Sequence, residues 1–321
     1  MLSIENELQN RQVVFNNNMN LCIDKTLFRG ELREQEPMSR HTSWKTGGNA
    51  EYFYTAKDIE DLSEFLSSLP AETSVTWVGL GSNLLVRDSG LSGVVISVLG
   101  VLNDIECVSE IELKVSAGVT CAKASRYAAK HGLSGIEFLA SIPGSIGGAL
   151  AMNAGAYGGE TWRYIKDVET INRKGEIKRY DRDQFETGYR SVSLADDEWF
   201  ISCTLKLEKS DKAVIEERMK NILSERAEAQ PLGHHSCGSV FRNPENDHAA
   251  RLIEVSGLKG KKIGGAVVSE KHANFIINSG NASSSDIESL IELVQETVYE
   301  KHAVKLIPEV RVIGDKEDEQ Q

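Results

Sequence analysis

The chain has no apolar run long enough to cross a bilayer; the candidate from Leu91 to Leu102 is too short and reads as strand and turn. It has no Lys/Arg-rich patch either. With 36 Lys and Arg against 48 Asp and Glu, the net charge of −12 repels nucleic acid and anionic membranes, so neither is expected as a partner. Cysteine is sparse: Cys22, Cys107, Cys121, Cys203 and Cys237 are odd in number and lack CxxC spacing, which fits reduced thiols in a cytoplasmic protein. The opening MLSIENELQN shows no basic stretch before an apolar core, so no signal peptide is expected. There is no GxxxxGK[ST], which removes a P-loop NTPase. In Gly79-Leu80-Gly81-Ser82-Asn83 the third glycine of a dinucleotide fingerprint is missing, and the chain runs on as LLVRD instead of an amphipathic helix. A Rossmann unit is thereby excluded. His234, His235 and Cys237 lack a fourth ligand and suitable spacing, so no metal site is expected. Ser239 lies outside any GxSxG, which disfavours a serine hydrolase.

What is abundant is small residues in one place. In the stretch ASIPGSIGGALAMNAGAYGGE, from Ala140 to Glu160, the part from Gly144 to Gly159 holds six Gly and four Ala. Such a backbone either offers successive N–H groups to a phosphate or lets another part of the chain pack closely. Around it, KDIEDLSEFLSSL predicts a helix capped by Asp58, and TCAKASRYAAKHG a helix capped by Thr120 and stopped by Gly132. DVETINRKGEIKRY predicts a hairpin turning at Lys174 and Gly175, and Glu198 to Glu208 a strand with Trp199, Ile201, Cys203, Leu205 and Leu207 on one face. From Ser210 the texture changes to a polar helix with Val214, Ile215, Met219, Ile222 and Leu223 as its buried stripe. The organisation expected is a polar leader over 1–37, a domain over 38–209, a second over 210–314, and an acidic tail over 315–321. Three places carry polar groups in apolar or small-residue surroundings: Arg190 in GYRS, Ser239 and Arg242 in CGSVFRNP, and Glu309 in PEV. Each could be an ordinary surface group instead.

Taken in order, HTSWKTGG, VGLGSNLLVRD, FLASIPGSIGGALAMNAGAYGGE, GYRSV, CGSVFRNP, GLKGKKIGGAVVSEKHANFIIN and PEV closely resemble the flavoenzyme family of UDP-N-acetylenolpyruvoylglucosamine reductases, from about His41 to Val312. The resemblance implies an α+β fold: an FAD-binding module of vanillyl-alcohol-oxidase (PCMH) type, made of two α+β lobes, followed by an α+β substrate-binding domain. It implies non-covalent FAD, held by Gly79, Gly81, Ser82 and Asn83 with Gly144, Ser145, Gly147, Gly148, Asn153 and Gly155, joined by Lys45, Thr46 and Gly47.

The reaction implied is reduction of UDP-N-acetylglucosamine enolpyruvate by NADPH through FAD, in peptidoglycan precursor synthesis. Arg190 matches the family's cation for the enolate-like intermediate, Glu309 its acidic partner, and Ser239 the donor of a proton to C2. Tyr189, Arg226, Gln230, Arg242 and Asn243 fall where the family binds the UDP-sugar. Only one strand and one helix fit between Arg190 and Ser239, which resembles the form without an inserted tyrosine loop, type II. A monomer is expected, since no apolar seam is evident. The alternatives are a sugar-lactone or alcohol oxidase of the same fold, or a non-catalytic nucleotide-binding module, which would need no convergence of Arg190, Ser239 and Glu309.

Overall fold

The computed structural model describes residues 14–15, 21–23 and 25–315. The acidic tail beyond Asp315 and most of the leader lie outside them. The chain separates into two compact units. One takes the described residues to Glu34 with Glu51–Gly79 and Gly93–Met219; the other takes Gln35–Ala50, Leu80–Ser92 and the described residues from Lys220. The boundary expected just before Ser210 thus lies about ten residues ahead of this division, which falls between Met219 and Lys220 inside the helix Lys212–Ala229.

The first unit is built on two sheets. A four-stranded sheet has the order Glu31–Pro37, Asn49–Thr55, Leu91–Ser97, Val75–Val78, with the last two strands parallel. Its first strand, ELREQEP, belongs to the expected leader: charged at alternate and adjacent positions alike, it hides its sheet role, as edge strands do. The helix Ile59–Ser68 starts at Asp58, whose carboxylate accepts from Asp61 N, and buries Leu62, Phe65 and Leu66. These side chains, with Tyr54, Val94 and Ile96, form one core.

The second sheet has five strands in the order Ile177–Asp181, Ile165–Asn172, Glu198–Lys206, Glu112–Ser116, Ile105–Cys107, with every pairing antiparallel. Glu198–Lys206 is its central strand, and it does not alternate as expected. Ser202 pairs with Glu169 but Phe200 pairs with Thr170, which leaves Ile201 as the extra residue of a bulge. A bulge shifts the side-chain alternation by one residue. Phe200 therefore joins Cys203 and Leu205 in one core, while Trp199 and Ile201 pack into the other. The helix Cys121–Lys130, capped by Thr120, covers this sheet's core with Ala124 and Ala128.

In the helix Lys212–Ala229 only Ile215 and Met219 are buried; Val214 and Leu223 are 40% and 42% exposed, so the expected stripe is narrower than five residues. Small partners explain this: the side chains beside Ile215 and Met219 are Ala129 and Ala140.

The second unit packs the helices Ala249–Val255 and Ser284–His302 with a three-stranded sheet of Lys262–Ile263, Ala266–Val268 and Ile276–Asn278. The GLKGKKIGGA segment forms much of the first hairpin of that sheet. The long helix buries Ile287, Leu290, Ile291, Val294 and Val298, the face its periodicity predicts. Trp44 and Leu85 complete the core. The last strand is only Arg311–Ile313, parallel to Leu84–Val86; the proline ahead of it supplies no N–H for a ladder, and Pro308 makes a single bridge to Phe241.

Candidate functional site

In the first unit the Gly-rich stretch is not a bare loop. Ser145 caps a six-residue helix, Ile146–Ala151, its Oγ accepting from Gly148 N at 3.3 Å. The amides of Gly144, Ile146 and Gly147 donate to Ile142 O, Val119 O and Ala117 O. Most of the expected run of free donors is therefore used within the chain, and close approach accounts for several glycines. A Cβ on Gly147 would lie 3.0 Å from Ala117 Cβ, and one on Gly79 would lie 2.5 Å from Ser145 Oγ. The latter contact also places Gly79 beside the start of this helix.

Gly148 is the exception. It is exposed, and an added Cβ would meet only Ser145 Oγ, at an ordinary 3.5 Å. Glycine inside a helix costs about 1 kcal/mol relative to alanine, and no packing among the described residues demands it here. Bare backbone at this point leaves room for a ligand to lie against it, and the resemblance stated above implies FAD. Gly148→Leu is expected to leave the melting temperature of the apoprotein unchanged or higher while weakening FAD binding at least about tenfold, read by fluorescence titration. Unchanged affinity would separate Gly148 from the cofactor.

Arg190 occupies the second turn position of a hairpin between Thr187–Gly188 and Ser191–Val192, with Gly188 paired to Ser191. Its φ is +56°, a left-handed conformation that costs a residue with a Cβ about 1–2 kcal/mol. Its Nη2 donates to Gly155 O at 2.8 Å, and Nη1 reaches Asn153 O at 3.5 Å. The guanidinium carbon also lies 4.9 Å from the centre of the Tyr189 ring, a cation–π contact.

The second unit assembles another group. Gly81, at φ +61°, lies so close to His41 O that a Cβ would come within 1.9 Å, so only glycine fits. Asn83 Nδ2 donates to Glu309 O at 3.0 Å, and Glu309 N donates to Val240 O at 2.7 Å. The main chain thus brings Asn83, Glu309 and the Ser239 segment together. Arg242 N donates to Ile307 O at 2.9 Å, while its Nε is buried with no hydrogen-bond partner among the described residues. Asn243 Oδ1 accepts from Ala249 N at 3.1 Å, doing for the next helix what its N-cap His248 does not. Arg226 Nε donates to Gln230 Oε1 at 3.2 Å, and Lys271 Nζ donates to Ala227 O at 2.7 Å.

Ahead of these, Lys45 is exposed at φ +58°, Thr46 is buried with its hydroxyl 3.3 Å from Ser284 Oγ, and Gly47 packs against Val86. Trp44 Nε1 donates to Ile276 O and Asn278 Nδ2 to Trp44 O, both at 2.8 Å, pinning the segment. Cys237 is a buried thiol 3.5 Å from Leu84 O, and burial pushes its pKa up, so it stays protonated.

Asn274 has no sequence-derived role, yet it orders the Ser239–Arg242 segment. It is buried; Oδ1 accepts from Phe241 N at 2.9 Å and Nδ2 donates to Phe241 O at 2.8 Å. The available signal was an asparagine inside the apolar run ANFIIN. His272 Nδ1 accepts from Asn274 N at 3.3 Å, and burial holds the imidazole below its ordinary pKa. The unfolded chain therefore binds this proton more readily, and stability is lost as pH falls below the ordinary histidine value of about 6.5. Wild-type melting temperature is expected to drop more steeply than that of His272→Gln between about pH 7.5 and about pH 5.5. Parallel curves would remove His272 from that account.

Among the described residues no group of three or more His, Cys, Asp or Glu could hold a metal ion, and no helix is long and apolar enough to cross a membrane. Residues 50–181 match the family described as FAD binding domain. This is an FAD-binding α+β protein with a separate C-terminal α+β domain. Residues 230–313 match UDP-N-acetylenolpyruvoylglucosamine reductase, C-terminal domain. The UDP-N-acetylenolpyruvoylglucosamine reductase of Alkalilimnicola ehrlichii is 50% identical over 295 residues, covering 92% of this chain and 99% of that one. The Legionella pneumophila enzyme of the same name is 51% identical over 287 residues, covering 89% and 93%. A crystal structure of the Thermus caldophilus reductase superposes with a TM-score of 0.77 at 32% identity, covering 88% of this chain and 98% of that one. The chain belongs to the UDP-N-acetylenolpyruvoylglucosamine reductase family.

Proposed function

We propose that this protein reduces UDP-N-acetylglucosamine enolpyruvate to UDP-N-acetylmuramate with NADPH and non-covalent FAD, a step in peptidoglycan precursor synthesis. The observation that carries the reading is 50% identity across 99% of a relative named for this reduction. Gly148 and the left-handed Arg190 turn support it from the structure. The FAD-binding part is read more finely as a vanillyl-alcohol-oxidase type module; a mixed four-stranded sheet beside an antiparallel five-stranded one supports that. NADPH as reductant, a monomeric state, a cytoplasmic setting and the domain limits 38–209 and 210–314 belong to the same proposal.

The chemistry FAD supplies when bound is transfer of a hydride equivalent from NADPH to C3 of the enolpyruvyl group. Gly79, Gly81, Ser82 and Asn83 with Gly144, Ser145, Gly147 and Gly148 would hold it, joined by Lys45, Thr46 and Gly47. As C3 is reduced, negative charge moves onto C2 and the substrate carboxylate. Arg190 meets that carboxylate with a planar, permanently charged fork, where a preoriented cation is most effective. Glu309 acts with Arg190 as the acidic partner. Ser239 donates the proton that C2 takes up, a role a weakly acidic hydroxyl can fill only toward a strongly basic carbon. Arg242 offers its orphaned Nε–H to the anionic part of the UDP-sugar.

The test is an anaerobic visible spectrum of the purified protein. A yellow spectrum that bleaches with NADPH and returns with UDP-N-acetylglucosamine enolpyruvate supports the cofactor, both half-reactions and the substrate. A colourless protein that cannot take up FAD overturns it. Bleaching reversed by oxygen and not by the enolpyruvyl sugar would make the protein an oxidase.

A further inference from the structure

We propose that Asn153 is a positioning residue for Arg190, and that the Asn153–Gly155 main chain is the seat of its guanidinium; Asn153 is not a side-chain ligand of the cofactor. The inference rests on Arg190 being the group that meets the substrate carboxylate.

Hydrogen-bond accounting carries the argument. An asparagine side chain has two N–H donors and one carbonyl oxygen. Asn153 is buried, and Nδ2 donates to Gly188 O at 3.1 Å and to Glu160 Oε2 at 3.3 Å, while Oδ1 accepts from Trp162 N at 3.1 Å. Both donors are thus committed inside the chain. Gly188 is the residue whose pairing with Ser191 closes the Tyr189–Arg190 turn, so Asn153 grips the base of that turn.

The main chain of the same segment receives the other end of Arg190. Gly155 O and Asn153 O face its two terminal nitrogens at 2.8 and 3.5 Å, which sets both the position and the plane of the fork. A side chain on Gly155 would crowd this arrangement: its Cβ would stand 3.2 Å from Arg190 Nη1 and 2.5 Å from Gly159 O. Asn153 itself adopts φ +43°, a left-handed conformation that asparagine tolerates better than most residues. Two left-handed residues, Asn153 and Arg190, are therefore tied to one another through Gly188. One arginine is held through Gly188 at the base of its turn and by its own guanidinium, from the same short stretch.

The test uses Asn153→Asp combined with Glu160→Gln. Aspartate keeps the acceptor for Trp162 N and suits the backbone, but donates nothing to Gly188; glutamine at 160 gives the new carboxylate a donor in place of a like charge. Asn153→Gly is made alongside, since glycine suits φ +43° without strain. In the apoprotein, the Arg190 side-chain N–H resonance, identified by its absence in Arg190→Lys, is expected to exchange with water faster than in wild type. In the holoprotein, the FAD dissociation constant and the rate of bleaching by NADPH are expected to stay within about threefold, while flavin reoxidation by the enolpyruvyl sugar slows about a hundredfold, the scale of a misplaced reacting group. An unchanged Arg190 resonance overturns the proposal, and so does weakened FAD binding with normal reoxidation of the holoprotein that remains. Failure of the wild-type protein itself to be reoxidised by the enolpyruvyl sugar would refute the assigned reaction, a result distinct from either.

Discussion

Replacing Arg190 by methionine is expected to slow reoxidation of NADPH-reduced flavin by the enolpyruvyl sugar by about a thousandfold, with FAD affinity and the NADPH half-reaction nearly unchanged. Removing even a neutral preoriented donor to a developing anion costs about 10²- to 10³-fold, and a bidentate cation stands at the upper end. Lysine should recover little, because a point charge cannot place two N–H groups against Gly155 O and Asn153 O and still present a fork. Arg190→Gly separates catalysis from folding. Glycine relieves the left-handed backbone at φ +56° but gives up the bond to Gly155 O, and the two effects are of similar size, so urea unfolding should change by no more than about 1 kcal/mol. A variant that unfolds readily, or one that still turns over, would remove Arg190 from the role assigned to it.

The second large effect concerns Ser239. Ser239→Ala should leave bleaching by NADPH intact and slow the return of flavin absorbance on adding the enolpyruvyl sugar by about 10²- to 10⁴-fold, the range for loss of a positioned proton donor. Its main chain should not be disturbed, because Asn274 and Glu309 hold the neighbouring Val240 and Phe241 by backbone hydrogen bonds that the hydroxyl does not enter. A solvent isotope effect on reoxidation that persists unaltered in the alanine variant would assign the proton to another group. Equal loss in both half-reactions would do the same.

Local patterns in the sequence carry the local structure well. The apolar spacing around Leu62 and Phe65 and the cap at Asp58 describe the first long helix, because both depend only on neighbours within a few turns. The bulge at Ile201 was invisible, since it exists only relative to the partner strand at Glu169 and Thr170. So were the left-handed turn at Arg190, where residue type argues against the conformation adopted, and the bond from Asn83 to Glu309, whose partners lie 226 residues apart. Small residues between Gly144 and Gly159 admit two readings in the sequence, a surface for a phosphate or a place of close packing. Several of them serve close packing, and the same composition cannot distinguish the two uses until a neighbour such as Ala117 or Arg190 is in place.

One consequence concerns the order in which the molecule can be made. The indole of Trp44 donates to Ile276 O, 232 residues later, and Leu84–Val86 lies in register with Arg311–Ile313. Loops of that length close slowly, and contacts of this kind cannot form early. As the chain leaves the ribosome, Trp44 and Leu85 emerge long before the residues that bury them. The core they share with the helices Ala249–Val255 and Ser284–His302 can close only once the chain through Val310 has emerged, and a fragment that starts after Leu85 would lack both side chains.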